Sequence, residues 1–167
     1  IGAADALYVG LADLYVPQAQ MAALKELLET TAGSALRAAI EEFAAPFTGQ
    51  AGESALEANR AGVDKHFGAG SVAAVMASLE TDGDAFFQKA LGAMRQRSPL
   101  MMCVTHELLV RGRELDVADC LRMERTLVRH NFEHGEVLEG VRALVIDKDN
   151  APKWNPSTLD EVTAGMV

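Results

Sequence analysis

Positive charge is scarce in this chain: 15 Lys and Arg stand against 24 Asp and Glu, a formal net charge of -9. Binding to a polyphosphate backbone draws on clustered Lys and Arg that displace counterions, so no nucleic-acid partner is expected. Cysteine is nearly lacking as well. Cys103 and Cys120 each sit inside an apolar helical pattern, which suits buried reduced thiols rather than a disulfide framework. No run approaches the roughly 20 apolar residues that span a bilayer, and the N-terminus lacks the basic-then-apolar layout of a secretion signal. The expectation is no membrane partner and a cytoplasmic location. Neither internal repeats nor low-complexity tracts occur.

What is present is an ordinary globular balance: 167 residues, 49% hydrophobic and 23% charged, enough for one compact core. The chain opens with Ile1-Gly2-Ala3-Ala4-Asp5 rather than a Met, already in helical rhythm, and so reads as part of a longer protein. Ala3 to Val9 reads as a short helix closed by Gly10, and Leu11 to Val16, bounded by Pro17, as the only credible strand. Helices follow from Pro17 to about Thr30, with Met21, Leu24, Leu27 and Leu28 at helical spacing, and from Ser34 to Phe43. Ala44 to Glu53, with Pro46, Gly49 and Gly52, reads as the best loop in the chain and its most mobile part. Ser71 caps a helix over Val72 to Leu79, and Thr81-Asp82-Gly83-Asp84 separates it from another through Arg97. Ser98-Pro99 starts a helix ending at Gly112; its all-apolar Leu100 to Val104 stretch makes it the expected centre of the core. Asp116 caps a long helix from Val117 to His134, and a last short helix has capping-box spacing at Ser157/Asp160 or Thr158/Glu161.

The most specific stretch follows Gly135: Glu139-Gly140-Val141-Arg142-Ala143, then Ile146-Asp147-Lys148-Asp149, then Pro152-Lys153-Trp154, with the chain's only Trp as anchor. It reads as a helix to about Asp147 that stops at a charged corner, followed by a Pro-punctuated loop. This order resembles the C-terminal signature of the crotonase superfamily, most closely its 3-hydroxyisobutyryl-CoA hydrolase branch. Val9-Gly10-Leu11-Ala12, the Phe67 region, the Leu79 to Gly83 step and Ser98-Pro99 follow in that branch's order, so the resemblance covers nearly the whole chain. One departure is Val137, where the branch usually has an aromatic residue.

The resemblance implies a mainly α chain: the helical C-terminal part of a crotonase-like α/β fold, with at most one short strand near the N-terminus. Residues 1–16 would end the crotonase core and 17–167 form the helical region. In the family two backbone N–H groups stabilise the thioester oxyanion and carboxylates move protons. Those groups lie upstream of everything matched here, so no catalytic residue is expected in this chain. Its implied partners are an acyl-CoA substrate, its own N-terminal crotonase core and, as a homo-oligomer, copies of itself. No cofactor is expected beyond the coenzyme A of the substrate, which needs a local cationic spot against the overall negative field. Lys148 matches a family lysine that approaches CoA phosphates, although a Lys near a helix C-terminus is also favoured by the helix dipole. Phe132 matches by register an aromatic near the adenine. Because Val117, Leu121, Val128 and Phe132 form one apolar stripe, core packing is the simpler expectation for it.

His130-Asn131-Phe132-Glu133-His134 fits H-x-x-E-H, an inverted zinc-peptidase pattern. On a helix both histidines face one way, but a catalytic zinc needs a third protein ligand and no ligand motif follows, so solvated helix-end histidines are expected and no metal. Glu124 falls on the apolar stripe and should find a charge or hydrogen-bond partner. His66 and His106 have no partner that sequence identifies. The reading is therefore a fragment of an acyl-CoA thioester hydrolase, with an enoyl-CoA hydratase or isomerase second. A stand-alone helical interaction module is the rival of another class.

Overall fold

The computed structural model describes residues 1–134 and 136–167, so the break expected at Gly135 lies outside the described residues. Two compact units divide the chain, Ile1–Asp64 and Lys65–Val167. Among the described residues every regular element is helical, as expected, and no helix is long and apolar enough to cross a membrane.

The first unit holds α1 (Ala3–Tyr8), α2 (Met21–Thr30), α3 (Leu36–Ala44), α4 (Ala55–Ala58) and most of α5 (Arg60–Phe67). Helix α1 ends where sequence placed its end: Gly10 takes φ +73°, and the Leu11 N–H turns back to the Ala6 carbonyl at 2.9 Å. The strand expected over Leu11 to Val16 does not form. A strand needs a neighbour to pair its backbone groups, and no other strand exists among the described residues to supply one. The expected loop after Ala44 is instead a 3₁₀ stretch, Ala45–Gln50, in which the Phe47 ring packs 6.0 Å from that of Phe43. Asp5 ties this unit together. Its Oδ2 accepts the Gly2 N–H at 3.0 Å, and its Oδ1 accepts the Ser54 hydroxyl at 2.8 Å and the Leu56 N–H at 3.1 Å. These donors, Gly2 foremost, pull its carboxyl down to about 2.

The second unit is built from α6 (Val72–Glu80), α7 (Ala85–Met94), α8 (Pro99–Gly112), α9 (Val117–Glu133) and α10 (Glu136–Val141), which continues as a π-helical turn over Arg142–Ile146. The caps stand where the sequence set them: Ser71, Ser98 and Asp116 accept the N–H of Ala74, Met101 and Asp119 at 3.2, 3.0 and 2.8 Å. The last turn, Leu159–Glu161, carries the Thr158/Glu161 capping box. The core differs from expectation. Val72, Val75, Leu79, Phe87, Leu91 and Ala143 are buried, whereas Leu100 to Val104 of α8 are half-buried. Helix α8 lies beside the core, with Leu100 and Val104 facing one and Met101 and Met102 the other of two open grooves described below. Cys103 and Cys120 are half-buried and carry no disulfide, and burial pushes the Cys103 thiol up.

Candidate functional site

The signature residues form a charged corner around Arg142. Glu139 and Arg142 stand three apart on one helix face. The guanidinium grips that carboxylate with both edges of its fork, Nε to Oε2 at 2.9 Å and Nη2 to Oε1 at 2.7 Å. The π-turn, closed by the Asp147 N–H on the Arg142 carbonyl at 2.8 Å, brings the following segment back over the same side chain. Arg142 Nη1 then donates to Asp147 and Asp149 at 2.7 Å each, and Nη2 to the Ala151 carbonyl at 3.2 Å. Glu139 Oε1 also takes the Lys153 N–H at 2.6 Å. Together Arg142 and Lys153 hold the Glu139 carboxyl at about 2, and Arg142 with the Ala151 N–H lowers Asp149. The same network raises Arg142.

Two further ties fasten the loop that follows. Glu136 Oε1 accepts the Asn155 N–H at 3.1 Å, and the Trp154 indole N–H reaches the Gln96 carbonyl at 3.3 Å. Carboxylates held ionised and fully engaged at such low pH are poor proton carriers near neutrality. The chemistry of this corner is positioning.

Lys148 sits at the tip of the corner. It is exposed, and its φ of +56° places it just past the π-turn in the left-handed region, which costs a non-glycine residue energy. Its carbonyl accepts the Asn150 side-chain amide at 3.2 Å. Phe132 lies elsewhere, on α9, and departs from the core-packing expectation. It is 53% exposed, and Val117, Leu121 and Val128 of the same stripe are 76%, 61% and 54% exposed. Glu124, on that stripe, is exposed too and makes no ion pair among the described residues. The stripe is thus an apolar helix face that the described elements leave exposed.

Two grooves flank α8. One, about 890 Å³, runs beneath the signature helix and is lined by Phe67, Val75, Met101, His106, Leu144 and Trp154. The other, about 760 Å³, lies against the opposite face of α9 from Phe132, with Leu108, Met123, Leu127, His130 and His134 in its wall. Neither Lys148 nor Phe132 is among the residues lining them.

His66, without a partner in the sequence reading, acquires two. The Asp82 carboxylate, lowered first by the Asp84 N–H and then by His66, faces Nε2 at 2.9 Å, and the Ser78 hydroxyl meets Nδ1 at 2.7 Å. An ionised Asp82 only accepts, so Nε2 donates to it, and Nδ1 shares the second hydrogen bond with the Ser78 hydroxyl. The residue types are those of a hydrolytic triad, yet the imidazole is fully buried and bonded at both nitrogens, and Ser78 stands inside α6. This is a bracket joining α5 to α6 and to the turn before α7.

Against known proteins, a family model described as enoyl-CoA hydratase/isomerase matches residues 1–167. The mitochondrial 3-hydroxyisobutyryl-CoA hydrolase of Danio rerio is 35% identical over 105 residues, 63% of this chain and 28% of that protein. The 3-hydroxyisobutyryl-CoA hydrolase-like protein 5 of Arabidopsis thaliana is 29% identical over 92% of this chain and 42% of its own length. Among solved structures, a carnitinyl-CoA dehydratase from Mycobacterium thermoresistibile superposes with a TM-score of 0.84 at 29% identity, over 98% of this chain and 45% of that one. An enoyl-CoA hydratase from Rhodobacter sphaeroides gives 0.80 at 29%, over 97% and 45%. The chain thus spans less than half the length of each of these relatives.

Proposed function

We propose, from the premise that this chain belongs to the enoyl-CoA hydratase/isomerase family, that it is the helical C-terminal part of an acyl-CoA thioester hydrolase of the 3-hydroxyisobutyryl-CoA type. The observation that carries the reading is its similarity to relatives of that name, which at 29% identity extends over 92% of the chain. In this reading residues 1–16 end the core, and the oxyanion donors and proton-moving carboxylates belong to that core rather than to this chain. The Arg142 corner fixes the loop that carries Lys148, whose exposed ammonium meets a CoA phosphate. Phe132 approaches the adenine. The exposed stripe on α9, together with Leu144, Val145 and Ile146, is covered by the N-terminal core and by further copies of the protein. A hydratase or isomerase is the second reading, favoured by the solved neighbours.

The test is an assay of the intact parent on two substrates. Release of free thiol from 3-hydroxyisobutyryl-CoA supports the hydrolase. Hydration of crotonyl-CoA without thiol release selects the second reading instead.

A further inference from the structure

The last turn of α9 holds a cluster that the acyl-CoA reading leaves unused. The rings of His130 and His134, one turn apart, lie within 6° of parallel with their centroids 5.9 Å apart. Glu133, the acidic residue of the H-x-x-E-H pattern, lies close enough to act as a ligand: its Oε2 is 3.5 Å from His130 Nδ1. One donor atom from each of the three residues falls within 4.8 Å of the others. A tetrahedral ion with bonds of about 2.1 Å asks for donors about 3.4 Å apart, so side-chain movements on the order of 1 Å close the site. All three side chains are exposed, which makes such movements easy and gives an ion direct entry. The competing partner of Glu133 is Arg129 at 3.6 Å, an exposed pair of little strength.

A second observation points the same way. Glu136 is 5% exposed, its Oε2 has no hydrogen-bond partner among the described residues, and it lines both grooves beside α8, in one of them together with His130, His134 and Glu107. A buried polar oxygen without a donor is costly, so a cation entering that groove meets an acceptor that no described donor occupies.

We propose that His130, Glu133 and His134 bind one divalent transition-metal ion of the Zn²⁺, Ni²⁺ or Cu²⁺ class, with water completing its coordination. Two imidazoles and one carboxylate favour these ions over Mg²⁺ and Ca²⁺, which prefer all-oxygen shells. The ion clips the end of α9 beside the start of the signature helix. No reaction is assigned to it, and the proposal does not depend on the acyl-CoA reading.

The test uses the full 167-residue chain without an affinity tag. Co²⁺ is titrated and read by its visible absorption, and Zn²⁺ by competition. One equivalent per chain is expected, with Zn²⁺ raising the melting temperature. His130→Ala and His134→Ala should each weaken binding by about tenfold or more, and Glu133→Gln by less, as loss of one ligand from three implies. His106→Ala, in the other groove, should bind as the unchanged chain does. Circular dichroism verifies that the variants keep their helices. Equal Zn²⁺ affinity in the double variant His130→Ala/His134→Ala, or Mg²⁺ competing as well as Zn²⁺, overturns the proposal.

Discussion

The Trp154 indole closes over Gly140: a Cβ at position 140 comes within 3.4 Å of Trp154 Cη2 and 3.8 Å of Cζ3. The pair joins the signature helix to the Pro-punctuated loop, and the indole N–H then continues to Gln96. Gly140→Ala should be neutral or slightly stabilising, because a helical Ala gains up to about 1 kcal/mol over Gly while the new contact is near ordinary van der Waals distance. Gly140→Leu should displace the indole and cost about 1–3 kcal/mol. Denaturant unfolding followed by the emission of the only Trp checks both; equal stability of the two variants would refute the packing.

Acid should release the Arg142 corner in a defined window. Glu139 titrates at about 2 in the folded chain against an ordinary 4.5. Its stabilisation is therefore complete above about pH 4.5 and fades as pH falls from there toward 2. The Trp154 emission of Glu139→Gln should change less across that window than that of the unchanged chain, and identical acid limbs would dismiss the assignment.

Lys148 offers a variant in which binding and stability move in opposite directions. In Lys148→Gly the left-handed backbone is relieved, so the melting temperature of the chain should hold or rise. In the intact parent the same change should raise KM for the CoA thioester with kcat nearly unchanged, since a phosphate contact is equal in ground and transition states. An unchanged KM would leave Lys148 without a binding role.

Local devices were legible because their partners are near in sequence. Ser71, Ser98 and Asp116 each cap an N–H three residues on, and Glu139 with Arg142 shares a helix face. The role of Asp5 was not, because two of the groups that donate to its carboxylate stand 49 and 51 residues away, and Trp154 finds Gln96 across 58. The α9 stripe shows the limit differently: its period announced an apolar face, but periodicity carries no information on whether the covering element is in the same chain. For the same reason Leu100 to Val104 read as core yet lines grooves. The His66 bracket gave no local signal, since Ser78 and Asp82 follow at 12 and 16 residues.

Removing the His66 bracket should be costly. His66→Ala leaves a cavity beside Phe87, whose ring centroid is 4.8 Å away, and strips Ser78 and Asp82 of a partner. A loss of about 2–4 kcal/mol is expected in chemical denaturation. A change below about 0.5 kcal/mol, the scale of an ordinary surface substitution, would show the bracket to be incidental.

The central claim is that this chain supports an acyl-CoA site whose catalytic groups lie in the rest of the parent. The direct measurement is free-thiol release from 3-hydroxyisobutyryl-CoA by the purified 167-residue chain and by the intact parent at equal concentration. Turnover by the parent and only the buffer rate for the chain is the predicted result. Turnover by the isolated chain well above the buffer rate would contradict the account.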